Sequence, residues 1–101
     1  MKDDLLTFSR SYAEHFDSRL RTLTQERGAD YGHPADDFRR AAAMTAVIAE
    51  CPHPLVRHAL YMIAVKVARL IQSPDHLDSI EDIAGYARTI TMILDRERAA
   101  K

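Results

Sequence analysis

The chain has few of the cysteines, long apolar runs and excess basic residues that are typical of disulfide-linked, membrane-spanning or DNA-binding proteins. Cys51 is its only cysteine, which excludes an internal disulfide and a zinc site built from cysteines. No apolar run is long enough to span a bilayer, and the residues after Met1 lack the apolar core of a signal peptide. The formal net charge is −1, so direct DNA binding is a poor first hypothesis. We therefore expect a cytoplasmic protein with no membrane contact.

Common catalytic and metal-binding motifs are also missing. The sequence contains no glycine-rich phosphate loop, no nucleophile elbow and no His-x-x-x-His pair. No run alternates apolar and polar residues as a half-buried strand does, and no internal repeat is present. What remains is helical periodicity, which the three glycines and four prolines interrupt.

Apolar residues recur at three- and four-residue spacing in four segments, which predicts an all-α fold. The predicted helices cover about residues 3–27, 36–50, 54–72 and 77–98 of a single domain, 1–101. We expect Gly28 to be the left-handed cap of the first helix, and Pro54 to lie in the first turn of the third. The simplest architecture is a four-helix arrangement with short connections, similar in class to helical bundles.

The predicted inward faces explain how these helices would pack. For the second, third and fourth helices they are, in order, Phe38, Ala41, Ala42, Thr45 and Ile48; Val56, Leu60, Ile63, Val67 and Leu70; and Ile80, Ile83, Ala87, Ile90 and Leu94. The third helix is apolar on most sides, so we expect part of it to contact another subunit of a homo-oligomer. Gly85, inside the fourth helix, indicates close packing of a neighbouring helix or a ligand.

Charged residues cluster on the predicted hairpin of the third and fourth helices. Lys66 and Asp82 would lie at similar heights, roughly 7–9 Å from the connecting turn, with Arg69 and Asp78 closer to it. One interpretation is a pair of ion pairs across the helices, each contributing about 0–1 kcal/mol. The other is a polyanion site, in which the aspartates hold a divalent metal and the cations contact phosphate oxygens.

Aromatic and imidazole side chains lie near this hairpin. Tyr31-Gly32-His33-Pro34 is a turn that either positions the second helix or brings a phenol and an imidazole over a pocket. His76 precedes the fourth helix and can cap, bridge or bind. Tyr86 lies one turn beyond Asp82, where it can stack on a base or fill a helix contact.

Several of these segments together resemble a family of small helical proteins encoded mainly by bacteriophages and prophages. The resemblance covers about residues 27–90 and rests on Tyr31-Gly32-His33-Pro34, MIAVKVARL, Ser73-Pro74-Asp75-His76 and DSIEDIAGY. It implies a protein that acts in the cytoplasm of a bacterial host, and it implies no established activity.

A more distant resemblance is to the all-α nucleoside triphosphate pyrophosphatases of the MazG type. In those enzymes acidic pairs on two consecutive helices bind magnesium, which holds the triphosphate. Asp78 and Asp82 match the second acidic pair, whereas Lys66 and Arg69 stand where the first pair would be. Two aspartates alone would hold Mg²⁺ poorly without substrate phosphates, while the cations can contact phosphates directly. The resemblance thus implies a nucleotide ligand more than its cleavage.

We predict that this protein binds a nucleotide or a nucleotide-derived metabolite and sequesters it. The predicted ligand-binding residues are Tyr31, His33, Lys66, Arg69, His76 and Tyr86, and the predicted Mg²⁺ ligands are Asp78 and Asp82. No residue is assigned a catalytic role. One alternative is a magnesium-dependent pyrophosphatase of the MazG type. The other is a non-catalytic structural or protein-binding module, in which the charged hairpin forms only ion pairs.

Overall fold

The computed structural model describes residues 25–101, and all regular structure in this range is helical. Residues 25–31 are helical and are called α1; α2 is Pro34–Ile48, α3 is Pro54–Gln72 and α4 is Leu77–Ala99. The prediction of an all-α fold is confirmed over these residues. Residues 3–24 of the predicted first helix lie outside them.

Two histidines cap the helices that begin at prolines. The Nδ1 atom of His33 accepts a hydrogen bond from the backbone N–H of Ala35 at 3.0 Å, and that of His53 accepts from Val56 at 3.2 Å. Proline suits the next position because its missing N–H would have no helical partner there. α2 therefore begins at Pro34, two residues earlier than predicted.

The first connection is formed by Gly32 rather than by Gly28. Helical structure continues past Gly28 to residue 31, and the N–H of Gly32 donates to the Gly28 carbonyl at 2.9 Å. Gly32 has a φ of 77°, a left-handed conformation that favours glycine. The predicted left-handed cap at Gly28 is therefore wrong by four residues, one helical turn.

α3 lies between α2 and α4 and contacts both, whereas the described parts of α2 and α4 do not contact each other. The fully buried apolar residues of the described chain are Ala59, Ala64 and Ala68, all on α3. Small side chains at these positions let neighbouring helices approach closely. The larger apolar residues predicted for the inner face of α3 are only half-buried.

The inward faces of α2 and α4 match the predicted ones only in part: Ala41, Ile48, Ile83 and Ile90 are half-buried, and the other predicted residues are exposed. Phe38 is 68% exposed, and the preceding residue, Asp37, is buried instead. On α4, Ile80, Ala87 and Leu94 are exposed, and the residues toward α3 are Ser79, Ile83, Tyr86, Ile90 and Ile93. A Cβ atom at Gly85 would meet nothing within 4 Å, so packing inside the described chain does not explain this glycine.

A short turn reverses the chain between α3 and α4 and also holds α1. The N–H of Ser73 donates to the Arg69 carbonyl at 2.9 Å, and the N–H of His76 donates to the Ser73 carbonyl at 3.0 Å. The hydroxyl of Ser73 donates to the carbonyl of Asp30. These bonds bring α1, the start of α2 and the α3–α4 turn together at one end. No helix of the described range is long and apolar enough to cross a membrane.

A candidate binding cavity between the first three helices

Tyr31 lies between two of the other predicted ligand-binding residues. The Arg69 guanidinium carbon lies 4.3 Å from the centre of the Tyr31 ring, and the His76 ring packs edge-on at 5.3 Å between centroids. A cation over an aromatic face stabilises such a contact by about 0.5–1 kcal/mol at exposed sites. The structure therefore brings together Tyr31, Arg69 and His76, which are far apart in sequence.

A cavity of about 350 Å³ opens beside this cluster. Its lining comes from α1, the turn after it, α2 and α3. The lining residues are Arg27, Gly28, Tyr31, Gly32, Pro34, Asp37, Phe38 and Arg69. Two arginines, one carboxylate and one phenol ring thus surround a single space.

Asp37 is the most unusual of the lining residues. Its side chain is buried, with the residue 5% exposed, and its Oδ1 atom has no hydrogen-bond partner among residues 25–101. Asp37 lies in the first turn of α2, where the positive end of the helix dipole favours a carboxylate. An unpartnered buried carboxylate oxygen is nevertheless costly, by about 1–3 kcal/mol or more. The cavity therefore offers a strong acceptor with no donor from the described chain.

Arg69 is the cationic counterpart of Asp37 in the cavity. Its Nε atom is buried and has no hydrogen-bond partner in the part of the chain that the structure describes, and the same side chain lines the cavity. Between described residues no Arg69–Asp78 ion pair forms, because Asp78 is exposed on the first turn of α4 and Arg69 turns toward Tyr31. Arg69 thus faces the cavity rather than the neighbouring helix.

Lys66 and Asp82 form the ion pair that spacing allows. Their Nζ and Oδ2 atoms are 2.9 Å apart, and the Lys66 side chain is 14% exposed against 47% for Asp82. An ion pair with one partner this exposed contributes little to stability. Neither residue lines the cavity beside Tyr31.

The two histidines that were predicted to bind a ligand both have polar contacts within the protein. His33 is the cap of α2, so its Nδ1 atom is occupied by the N–H of Ala35. The Nδ1 atom of His76 lies 2.8 Å from the hydroxyl of buried Ser79, and its Nε2 atom lies 3.8 Å from a carboxylate oxygen of Asp30. His76 packs edge-on against the Tyr31 ring, while His33 is exposed.

Tyr86 lies at a different place from the other predicted residues. It lines a second cavity of about 310 Å³ between α3 and α4, with mainly apolar neighbours such as Ala59, Met62 and Ile93. Two roles were predicted for Tyr86, stacking on a base or packing between helices, and packing between helices fits this position. The structure does not bring Tyr86 to the cavity beside Tyr31.

The predicted metal ligands do not form a resident magnesium site by themselves. Within residues 25–101, no group of three or more histidine, cysteine, aspartate or glutamate side chains could hold a metal ion. Asp78 and Asp82 are both exposed, and Asp82 already pairs with Lys66. Mg²⁺ takes about six oxygens in a near-octahedral arrangement, far more than this pair supplies.

Sequence reasoning missed Asp37 and Arg27 as cavity residues. The periodicity placed Phe38 inward, which turns Asp37 toward solvent, whereas in the structure Asp37 is buried and Phe38 is exposed. A signal was present in the sequence. Asp36 and Asp37 follow Pro34 after one residue, and acidic residues shortly after a proline indicate the first turn of a helix.

Comparison with known proteins places the chain in a family. Residues 15–93 match the family described as "Domain of unknown function (DUF6378)". The chain belongs to this family. A relative is the "Gene 55 protein" of Mycobacterium phage D29, which is 33% identical over 75 residues. That alignment covers 74% of this chain and 50% of the relative, so the chain spans about half the length of this curated protein.

The family and the phage relative confirm the predicted likeness to small phage-associated helical proteins. No solved structure matches the chain. Family membership therefore carries no activity over to this chain, and the functional argument rests on the cavity.

Proposed function

We propose that this protein binds a nucleotide or a nucleotide-derived metabolite in the cavity between α1, α2 and α3. The observation that carries the proposal is the pair of unpartnered buried groups, Asp37 Oδ1 and Arg69 Nε, on residues that line one cavity. Buried polar atoms in native proteins are nearly always hydrogen-bonded, so two exceptions beside one cavity favour a site at which a polar ligand supplies the hydrogen bonds.

The charges around the cavity suit a ligand with an anionic and a neutral polar part. Arg27 and Arg69 supply planar guanidinium groups, which bind phosphate through paired hydrogen bonds. Asp37 repels phosphate but accepts hydrogen bonds from ribose hydroxyls or from the N–H groups of a base. A nucleotide carries both kinds of group, whereas inorganic phosphate carries only one.

Tyr31 adds a surface on which a base can stack. Its ring lines the cavity, with Arg69 over the face and His76 at the edge. Base stacking on an aromatic side chain contributes about 1–3 kcal/mol in proteins that bind single-stranded nucleic acids. In this proposal Tyr31 and Arg69 keep their predicted roles, and Asp37 and Arg27 join them.

The carboxylates available to a metal ion favour binding of the ligand without its cleavage. Lys66 neutralises Asp82, and within the described chain the exposed pair Asp78 and Asp82 belongs to no group of three or more side chains that could hold a metal ion. We therefore propose sequestration, with Arg27 and Arg69 at the phosphates and Mg²⁺ entering only with the ligand. Lys66, which pairs with Asp82 outside the cavity, has no role in this version. The MazG-type pyrophosphatase remains the enzymatic alternative, and it predicts magnesium-dependent release of pyrophosphate.

A binding screen with matched arginine variants tests the proposal. We expect nucleotides to raise the melting temperature of the full chain and to give a binding isotherm by calorimetry. Arg69→Gln should weaken binding by roughly tenfold or more, because it removes a charge-assisted hydrogen bond of about 1.5–3 kcal/mol. Arg39→Gln removes the same charge from an exposed position of α2 that does not line the cavity, and it should leave binding unchanged.

The same samples separate the alternatives. Recovery of the ligand intact supports sequestration, and its conversion with magnesium supports the pyrophosphatase. A melting temperature that no nucleotide changes, with or without magnesium, would leave the structural or protein-binding module as the function. Equal losses in Arg69→Gln and Arg39→Gln would contradict this cavity as the site.

A further inference from the structure

α4 carries a second apolar face that no described helix covers. The inward residues of α4 account for one side of the helix, toward α3. A different set is exposed and recurs with alternating three- and four-residue spacing: Leu77, Ile80, Ala84, Ala87, Thr91 and Leu94. We call this set the outer seam. Leu77 is 62% exposed, Ile80 46% and Leu94 44%.

The spacing of the outer seam is that of a helix that packs along another helix. A three–four alternation has a mean period of 3.5 residues, the repeat of paired helices with knobs-into-holes packing. Scattered exposed apolar residues are normal on a protein surface, but they do not keep one period over five steps. The seam runs for about 26 Å along α4, given the rise per residue of a helix.

We propose that the outer seam pairs with the same seam of a second copy of this chain, with the two α4 helices antiparallel. Such a pairing is self-complementary about a two-fold axis, so one surface serves both subunits. With Ala84 opposite Ala87 of the partner subunit, Leu77 lies opposite Leu94 of the partner subunit. The small alanines meet at the centre, and the larger leucines close both ends.

Charge complementarity selects a second copy as the occupant. Glu81 and Arg88 are exposed on one flank of the seam, one heptad apart, with opposite charges. In the antiparallel register Glu81 comes within about two residues, roughly 3 Å along the axis, of Arg88 of the partner subunit. The two-fold axis repeats the pair, so two ion pairs form per dimer. A parallel pairing in register would instead put the two copies of this flank on opposite sides of the interface, where Glu81 and Arg88 could not pair.

Sedimentation of the full chain tests the interface. We expect a dimer for the unchanged protein, and monomers for Ile80→Asp at concentrations where the unchanged protein is dimeric. Val47→Asp is the control, because Val47 is 71% exposed on α2, which does not contact α4 in the described chain. It should remain dimeric. A chain that stays monomeric up to about 0.5 mM, where even weak pairs associate, would overturn the proposal.

Charge reversal provides a test that does not depend on the folding of Ile80→Asp. Glu81→Arg and Arg88→Glu should each raise the dimer dissociation constant by about tenfold, because like charges meet at two symmetric positions. The double variant restores opposite charges, and its dissociation constant should return to within about twofold of the original. A dimer that persists in Ile80→Asp, or a double variant no tighter than the single ones, would contradict this seam.

Discussion

The substitution Gly32→Ala tests the connection that shapes the cavity. Gly32 has a φ of 77°, and a left-handed backbone costs an alanine about 1–2 kcal/mol. Its Cβ atom would also lie 3.0 Å from the Gln72 Oε1 atom. That oxygen accepts a hydrogen bond from Arg40 at 3.1 Å, so displacement of Gln72 adds about 0.5 kcal/mol, the low end for an exposed bond. We expect a total loss of about 2 kcal/mol.

Thermal and denaturant unfolding by circular dichroism would measure this loss. For a domain of this size about 2 kcal/mol corresponds to a fall of roughly 10 °C in melting temperature. Gly28→Ala and Gly85→Ala are the controls, because both glycines are helical and neither added Cβ would meet an atom within 4 Å. Each should stabilise the protein by about 0.5–1 kcal/mol, since alanine is the better helix former.

A double-variant cycle separates the two parts of the loss. In a Gln72→Ala background the steric contact is gone, and Gly32→Ala should cost only its backbone share, about 1–2 kcal/mol. The reasoning would be refuted if Gly32→Ala proved neutral, or if Gly28→Ala were the more damaging change. The second result would indicate that Gly28, the position predicted from the sequence, has the left-handed conformation.

Three further predictions concern single side chains. His33→Ala removes the cap of α2 and should cost about 1 kcal/mol in denaturant unfolding, whereas exposed His58→Ala should cost much less. Asp37→Asn keeps the shape of the side chain but replaces a buried carboxylate, whose Oδ1 atom has no partner among the described residues, with a neutral amide, so the ligand-free melting temperature should rise while calorimetry shows nucleotide binding weakened about tenfold; a lower melting temperature would contradict this assignment. Glu97→Gln weakens the contact of a carboxylate 2.8 Å from the His53 Nε2 atom at a partly exposed site, and it should change the unfolding free energy by less than about 1 kcal/mol.

The charged hairpin shows how far spacing alone can predict a contact. The helical rise placed Lys66 level with Asp82, and these residues form an ion pair at 2.9 Å. The same argument placed Arg69 level with Asp78, yet Arg69 packs over Tyr31 instead. Height along a helix follows from counting residues. The direction of a long side chain depends on what else lies within its reach, and here that is a ring from another part of the chain.

The sequence indicates that Asp37 lies in the first turn of a helix, but it does not indicate which way the side chain points. Phe38 is the largest apolar residue of α2, so the apolar periodicity of this helix predicts that it faces inward. In the folded chain α2 begins at Pro34 and follows the left-handed Gly32, and this entry sets the rotation of the helix. Phe38 consequently borders the cavity and Asp37 lies inside it.

Periodicity, together with glycine and proline positions, determined the helical class, the bounds of α3 and the turn after it, because these depend on residues close in sequence. The tertiary structure decided which face of each helix is buried and which side chains share a cavity. Tyr31, Asp37 and Arg69 lie together only because the turn at Gly32 packs against the end of α3. Contacts between distant segments depend on the packing of whole helices, and that information is not contained in any local pattern.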